Sequence, residues 1–234
     1  MKNLNRTTFE KLEQYMQSCM RDSAHDREHV YRVLYHALQI AETETGVRED
    51  ILIAACLLHD IGRQAQLADP AVCHALAGGG MAYEWLRKEG FPQDFADQVR
   101  HCIETHRFRS DRPPRTTEAK ILFDADKLDA AGAMGIARTL QYQGKQDWPL
   151  YVPTPEGVPD ETARGTFFRE YREKLSRLYD RFCTTRGAEL AAERRSAAEA
   201  FFQSLKTEIT QSRREGQRVL NQLFAEEGVY HDGL

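Results

Sequence analysis

Residues 49–61 read Glu49-Asp50-Ile51-Leu52-Ile53-Ala54-Ala55-Cys56-Leu57-Leu58-His59-Asp60-Ile61. From Ile51 to Leu58 every residue is apolar, so a helix here has no face for water and is expected to be buried all round. Few of these residues are β-branched, which argues against a central strand. The run is also far too short to span a bilayer. It ends in a histidine followed by an aspartate. A carboxylate at the end of a buried helix is costly unless a cation or a hydrogen-bond donor meets it. An adjacent imidazole and carboxylate can both ligate one divalent ion, and they can equally close a helix end by hydrogen bonding.

Outward from this run, apolar residues recur with helical period. Residues 5–21 place Phe9, Leu12, Met16 and Cys19 on one face, and residues 26–44 align Val30, Val33, Leu34, Ala37 and Ala41, with Gly46 as a stop. Further helices are expected over 71–88, from Pro92 to about His106, and over 117–142, the last capped by Thr116 or Thr117. Residues 143–160 carry four prolines and two glycines and read as a loop. Two charged helices, 161–185 and 188–228, are expected to finish the chain, with Gly187 between them. No segment alternates with the period of a strand. The expected fold class is all-α: a helical bundle with extra C-terminal helices.

A chain of 234 residues can form one large domain, here spanning 1–234, with a core at about 20–142 and a helical C-terminal part at about 161–228. The net charge of -4 gives no broadly basic surface, so no nucleic-acid polymer is expected as a partner. The first residues lack the apolar core of a signal peptide, and no membrane association is expected. The five cysteines are scattered and form no CxxC pair, which points to a reducing, cytoplasmic setting. Cys56 and Cys102 sit in apolar segments and read as small core residues.

Two further stretches can complete a shell around His59 and Asp60. His29 lies on the helix carrying Val30 and Val33. The run Ile121-Leu122-Phe123-Asp124-Ala125-Asp126-Lys127-Leu128-Asp129 is apolar on one side and acidic on the other. The ordered set, with Ala24-His25-Asp26-Arg27-Glu28-His29, Leu58-His59-Asp60-Ile61-Gly62-Arg63, Asp124-Ala125-Asp126-Lys127-Leu128-Asp129-Ala130 and Gly135-Ile136-Ala137-Arg138, resembles the HD metal-dependent phosphohydrolase superfamily. It is most similar to the YedJ/YpgQ-type branch. In motifs the resemblance covers about residues 20–142.

The resemblance implies an HD-domain helical bundle enclosing a metal held by His29, His59, Asp60 and Asp126. Asp126, just before Lys127, matches the ligand position, which leaves Asp124 to a supporting or packing role. It implies removal of phosphate or pyrophosphate from a small phosphorylated substrate, a nucleotide or another phosphoester. Imidazole and carboxylate donors without thiolate suit Mn, Mg, Co, Ni, Fe or Zn. Such an ion lowers the pKa of bound water and polarises a phosphoryl oxygen. On this basis metal-bound water attacks phosphorus, with Asp60 as a catalytic residue that also holds the metal, while His101 or His106 moves a proton or binds phosphate. These two histidines lie about 140° apart around a helix, so both cannot point squarely at one centre. His74 is a weaker candidate for a second-metal ligand, a role that some HD proteins give to extra histidines.

Arg63, Lys127 and Arg107 are the phosphate-contact candidates. Arg109, Arg112 and Arg115 read more simply as a solvated loop. Asp26 could orient His29 or cap its helix, and His36 and His231 look like surface residues. The C-terminal stripe of Phe201, Phe202, Leu205, Ile209, Leu220, Leu223 and Phe224 could cover the bundle or form a homo-oligomer contact. Two alternative functions remain: a nucleotide-sensing module without turnover, and a di-iron oxygenase on a related helical fold.

Overall fold

The computed structural model describes residues 4–20, 27–107 and 112–229. His25, Asp26, Arg109 and His231 lie outside these residues. Among the described residues ten α-helices follow in order: α1 (Arg6–Cys19), α2 (Arg27–Ala41), α3 (Glu49–Leu58), α4 (Arg63–Ala68), α5 (His74–Lys88), α6 (Gln93–Thr105), α7 (Thr117–Leu128), α8 (Gly132–Lys145), α9 (Phe167–Glu170) and α10 (Thr185–Val229). Among the described residues there is no strand, only an isolated bridge between Pro153 and Pro159. The fold is all-α, as the periodicity predicts. No helix among these residues is long and apolar enough to cross a membrane.

The apolar run became α3, the central helix. Ile51, Leu52 and Ala54 through Leu58 are fully buried, and α1, α2, α6 and α7 pack around them. Truncating a leucine in such a position costs roughly 2–5 kcal/mol. Helices α5 and α6 form an antiparallel pair alongside. A second apolar cluster, built on Phe167, Phe168, Tyr171 and Phe202, joins α8 and α9 to α10. In it the Tyr171 and Phe202 rings stack at 4.0 Å.

The expected elements differ in four places. A separate short helix, α4, precedes α5. The helix expected over 117–142 is broken into α7 and α8 by residues 129–131, where Ala131 is extended, and α8 is entered through Gly132 at a φ of 66° that favours glycine. The helix expected over 161–185 is instead the four-residue α9, capped by Thr166, a π-helical turn at Tyr171–Leu175 and a 3-10 turn at Leu178–Asp180. Gly187 does not separate two helices. It lies in the first turn of α10, where its N–H donates to Thr184 Oγ1 at 3.1 Å.

One close approach sets the geometry of the site. A Cβ on Gly62 would lie 2.2 Å from the His74 carbonyl oxygen and 2.5 Å from the Gly78 nitrogen. The turn after Asp60 therefore touches the backbone of α5 directly, which only glycine allows. That contact brings the start of α5, and His74 with it, against Asp60.

Candidate metal centre

Four elements converge on Asp60. His29 comes from the first turn of α2, His59 and Asp60 from the end of α3, His74 from the start of α5, and His106 from the end of α6. All five are buried. Asp126 reaches in from α7 with its side chain 25% exposed, which marks the open side of the centre.

The ring nitrogens have defined roles. His59 Nδ1 faces the Cys56 carbonyl at 2.8 Å and His106 Nδ1 faces the Ile103 carbonyl at 2.6 Å. A carbonyl only accepts, so each neutral ring carries its proton on Nδ1 and presents a bare Nε2 to the centre. His29 Nδ1 meets Asp129 Oδ2 at 2.7 Å, which turns its Nε2 inward in the same way. His29 Nε2 and His59 Nε2 are 3.3 Å apart. Asp60 Oδ2 lies 3.6 Å from the first and 3.7 Å from the second, and Asp126 Oδ1 lies 3.5 Å from His29 Nε2.

The other oxygen, Asp60 Oδ1, faces His74 Nε2 at 3.6 Å and His106 Nε2 at 3.7 Å. The donors form two groups, His29 with His59 and Asp126, and Asp60 with His74 and His106; within each, the ligand atoms lie within 4.8 Å of one another. Asp60 stands between them. Inward-facing lone pairs and buried carboxylates fit a cation, and the absence of thiolate from the set suits a hard or borderline divalent ion.

The protonation pattern follows from burial and neighbours. Burial opposes charge on His29, but the Asp129 and Asp60 carboxylates outweigh it and raise its pKa. Burial lowers His59 and brings His106 down to about 4, with the adjacent His59 adding to the effect. His74 falls to about 2 through burial and the nearby Arg63 guanidinium. Burial alone would raise Asp60, yet Arg63, His59 and His29 hold it well below the usual carboxylate range.

Asp129 was not singled out in the sequence. It is fully buried and holds His29 while accepting from Arg32 Nε at 2.6 Å and Arg138 Nη1 at 2.5 Å. Its signal there is its place about one turn after Asp126, at the C-terminal cap of α7. Gln66 was also missed; its Oε1 accepts from His74 Nδ1 at 2.8 Å.

The structure brings together His29, His59, Asp60 and Asp126, with His106 and His74 beside them. It does not bring His101 there. That ring is half-buried and its Nε2 accepts the Arg115 backbone N–H at 3.3 Å, because five residues of helix turn it away from His106. Lys127, expected to contact substrate, is 3% exposed and its Nζ donates to the Phe123 carbonyl at 3.1 Å, with burial lowering its pKa to about 7. It points into the protein.

Arg63 is at the rim, its Nε 3.0 Å from Asp60 Oδ1. Arg107 donates to Cys73 Sγ at 3.1 Å, at the residue preceding α5. Asp124 points away from the centre and accepts from the backbone N–H groups of Cys183 and Thr184 at the start of α10. His36 is not a simple surface residue: Arg194 meets its Nε2 at 3.3 Å.

A family model for the HD domain matches residues 27–131, a span holding every member of both donor groups. The YpgQ protein of Bacillus subtilis strain 168 is 33% identical over 208 residues, 86% of this chain and 93% of that protein. The chain belongs to the HD family. Among solved HD relatives, the crystal structure of Bacillus subtilis YpgQ in complex with ADP aligns with a TM-score of 0.67 at 31% identity, covering 86% of this chain and 97% of that one. An HD-superfamily hydrolase from Bacillus thuringiensis aligns with a TM-score of 0.65 at 29% identity, covering 89% of this chain and 98% of that one. The fold is thus that of HD superfamily hydrolases, and the buried His/Asp cluster within it can hold a divalent metal.

Proposed function

We propose that this chain is a divalent-metal-dependent phosphohydrolase acting on nucleotides, as a nucleotidase or a nucleoside triphosphate pyrophosphohydrolase. The observation that carries the proposal is the convergence of His29, His59, Asp60 and Asp126 with their donor atoms turned to one place. A bound divalent ion would lower the pKa of a water molecule and neutralise charge on a phosphoryl oxygen.

The chain's own residues then have defined tasks. Asp129 fixes the ring of His29, and the Cys56 carbonyl fixes that of His59. His106 keeps a bare Nε2 toward Asp60, which suits it to accept a proton at that atom. Arg63 and Arg107 supply positive charge at the rim for phosphate oxygens. Phosphoryl transfer chiefly needs such positioning and charge neutralisation. The ADP held by the YpgQ relative supports a nucleotide as the substrate. His59→Ala is expected to lose bound metal and turnover together. Metal retained with activity unchanged would place the reaction elsewhere.

A second reading is favoured by one observation. His74 joins Asp60 and His106, so six donors stand where a di-iron oxygenase would need them. Two iron atoms per chain together with oxygen consumption would support that reading. A single ion with phosphate release excludes it.

A further inference from the structure

We infer that Arg63 supplies, at the Asp60–His74–His106 group, the positive charge that a second divalent ion would otherwise supply, so that the chain takes one ion where its six donors could take two. The inference rests on the proposal that one ion sits on His29, His59, Asp60 and Asp126. It concerns what the other half of the cluster does.

The half-shell has the chemistry of a cation site. His106 Nδ1 is committed to the Ile103 carbonyl, and His74 Nδ1 to Gln66 Oε1. Both rings therefore offer Nε2 as an acceptor, within 3.7 Å of Asp60 Oδ1. Among the described residues His74 Nε2 has no hydrogen-bond partner, in a residue only 2% exposed. Such an orphaned acceptor is costly unless something positive meets it.

Arg63 already occupies the carboxylate on which that half-shell depends. Its Nε donates to Asp60 Oδ1 at 3.0 Å, the oxygen that faces both histidines. Its Nη1 lies 3.5 Å from Gln66 Oε1, the atom that also orients His74. The guanidinium is thus tied to both arms of the group. Its address is fixed by the chain: α4 starts at Arg63, immediately after the Gly62 contact with α5. A divalent ion placed among Asp60 Oδ1, His74 and His106 would share its carboxylate oxygen with a permanent cation, and the two repel.

The test is the number of Mn²⁺ ions per chain, by isothermal titration and by elemental analysis after gel filtration. Wild type is expected to bind one tightly. Arg63→Ala should bind two, the second roughly tenfold or more tighter than any second ion in wild type, as expected for losing a neighbouring unit charge. Arg63→Lys should stay at one, and Arg63→Ala with His74→Ala should return to one. A folded Arg63→Ala protein that still binds one ion overturns the inference, as does a wild type that binds two with similar affinity. Should Arg63→Ala not fold, His74→Ala decides: it is expected to keep the single ion at wild-type affinity, and loss of that ion overturns the inference. A wild type that binds no ion at all refutes instead the metal centre on which the inference rests.

Discussion

At the scale of single residues, Asp129 is the side chain on which the centre's geometry most depends without facing it. It holds His29 Nδ1 at 2.7 Å and is itself gripped by Arg32 and Arg138. Carboxylates behind ligating histidines fix ring orientation and raise ligand basicity, and losing one typically costs about 10–100-fold in metal affinity. Asp129→Asn is therefore expected to weaken Mn²⁺ binding by about that factor while the helical circular dichroism is retained. An unchanged dissociation constant would reduce Asp129 to a clamp for the two arginines. His36 gives a pH prediction. Burial and the Arg194 guanidinium lower its pKa from 6.5 to about 4. As pH falls, the unfolded chain takes up this proton first, so stability is lost between about pH 6.5 and 4. In metal-free protein, His36→Gln is expected to flatten the stability profile across that window, and an unaltered slope would count against it. His29, His59, Asp60 and Asp126 were legible in the sequence because they share an ordered pattern anchored by one adjacent pair. Asp129 was not, because its partner lies one hundred residues away, on α2. His101 was misplaced because spacing alone cannot tell which of two histidines on one helix faces inward.

At the scale of elements, the junction of α7 with α10 ties the C-terminal part to the metal-bearing core. Asp124 accepts from the Cys183 N–H at 2.8 Å, from the Thr184 N–H at 2.7 Å and from Thr184 Oγ1 at 2.7 Å. Thr184 in turn receives the Gly187 N–H, so one carboxylate organises the start of a 45-residue helix. Asp124→Ala would leave buried donors without an acceptor and is expected to cost on the order of 3 kcal/mol. Urea denaturation should show a lower midpoint with an unchanged slope; a midpoint at the wild-type value would contradict the anchoring role. This junction explains why the C-terminal boundaries were hard to read. Gly187 resembles a helix stop in the sequence, but Thr184 and the distant Asp124 make it part of a first turn. Likewise the α7–α8 break consists of an extended Ala131 followed by a positive φ at Gly132, in a segment whose periodicity runs on across it. The long apolar run of α3, by contrast, needed no tertiary information to be read as buried.

At the scale of the whole molecule, the buried cores end well before α10 does. Leu190, Ala191, Ala198 and Phe202 pack into the body, whereas every residue from Gln211 to Ala225 is exposed. Helix formers alone hold a free helical end weakly, so this stretch adds little to the fold's stability. A chain ending after Thr210 is expected to melt within about 2 °C of the full-length protein, less than the shift for 1 kcal/mol in a chain of this size. A larger drop would mean that the end of α10 is packed in solution. The molecule otherwise consists of a helical frame that carries six donors on five segments to one buried place. That the place is a hydrolytic metal centre is tested most directly by release of phosphate and pyrophosphate from a panel of nucleotides and simple phosphoesters. Wild type and Asp60→Ala are compared with Mn²⁺, Mg²⁺, Co²⁺ and Ni²⁺. Metal-dependent release by wild type, strongest on nucleotides and abolished in Asp60→Ala, is the predicted result. No release from any substrate by a wild type that holds its metal would contradict it.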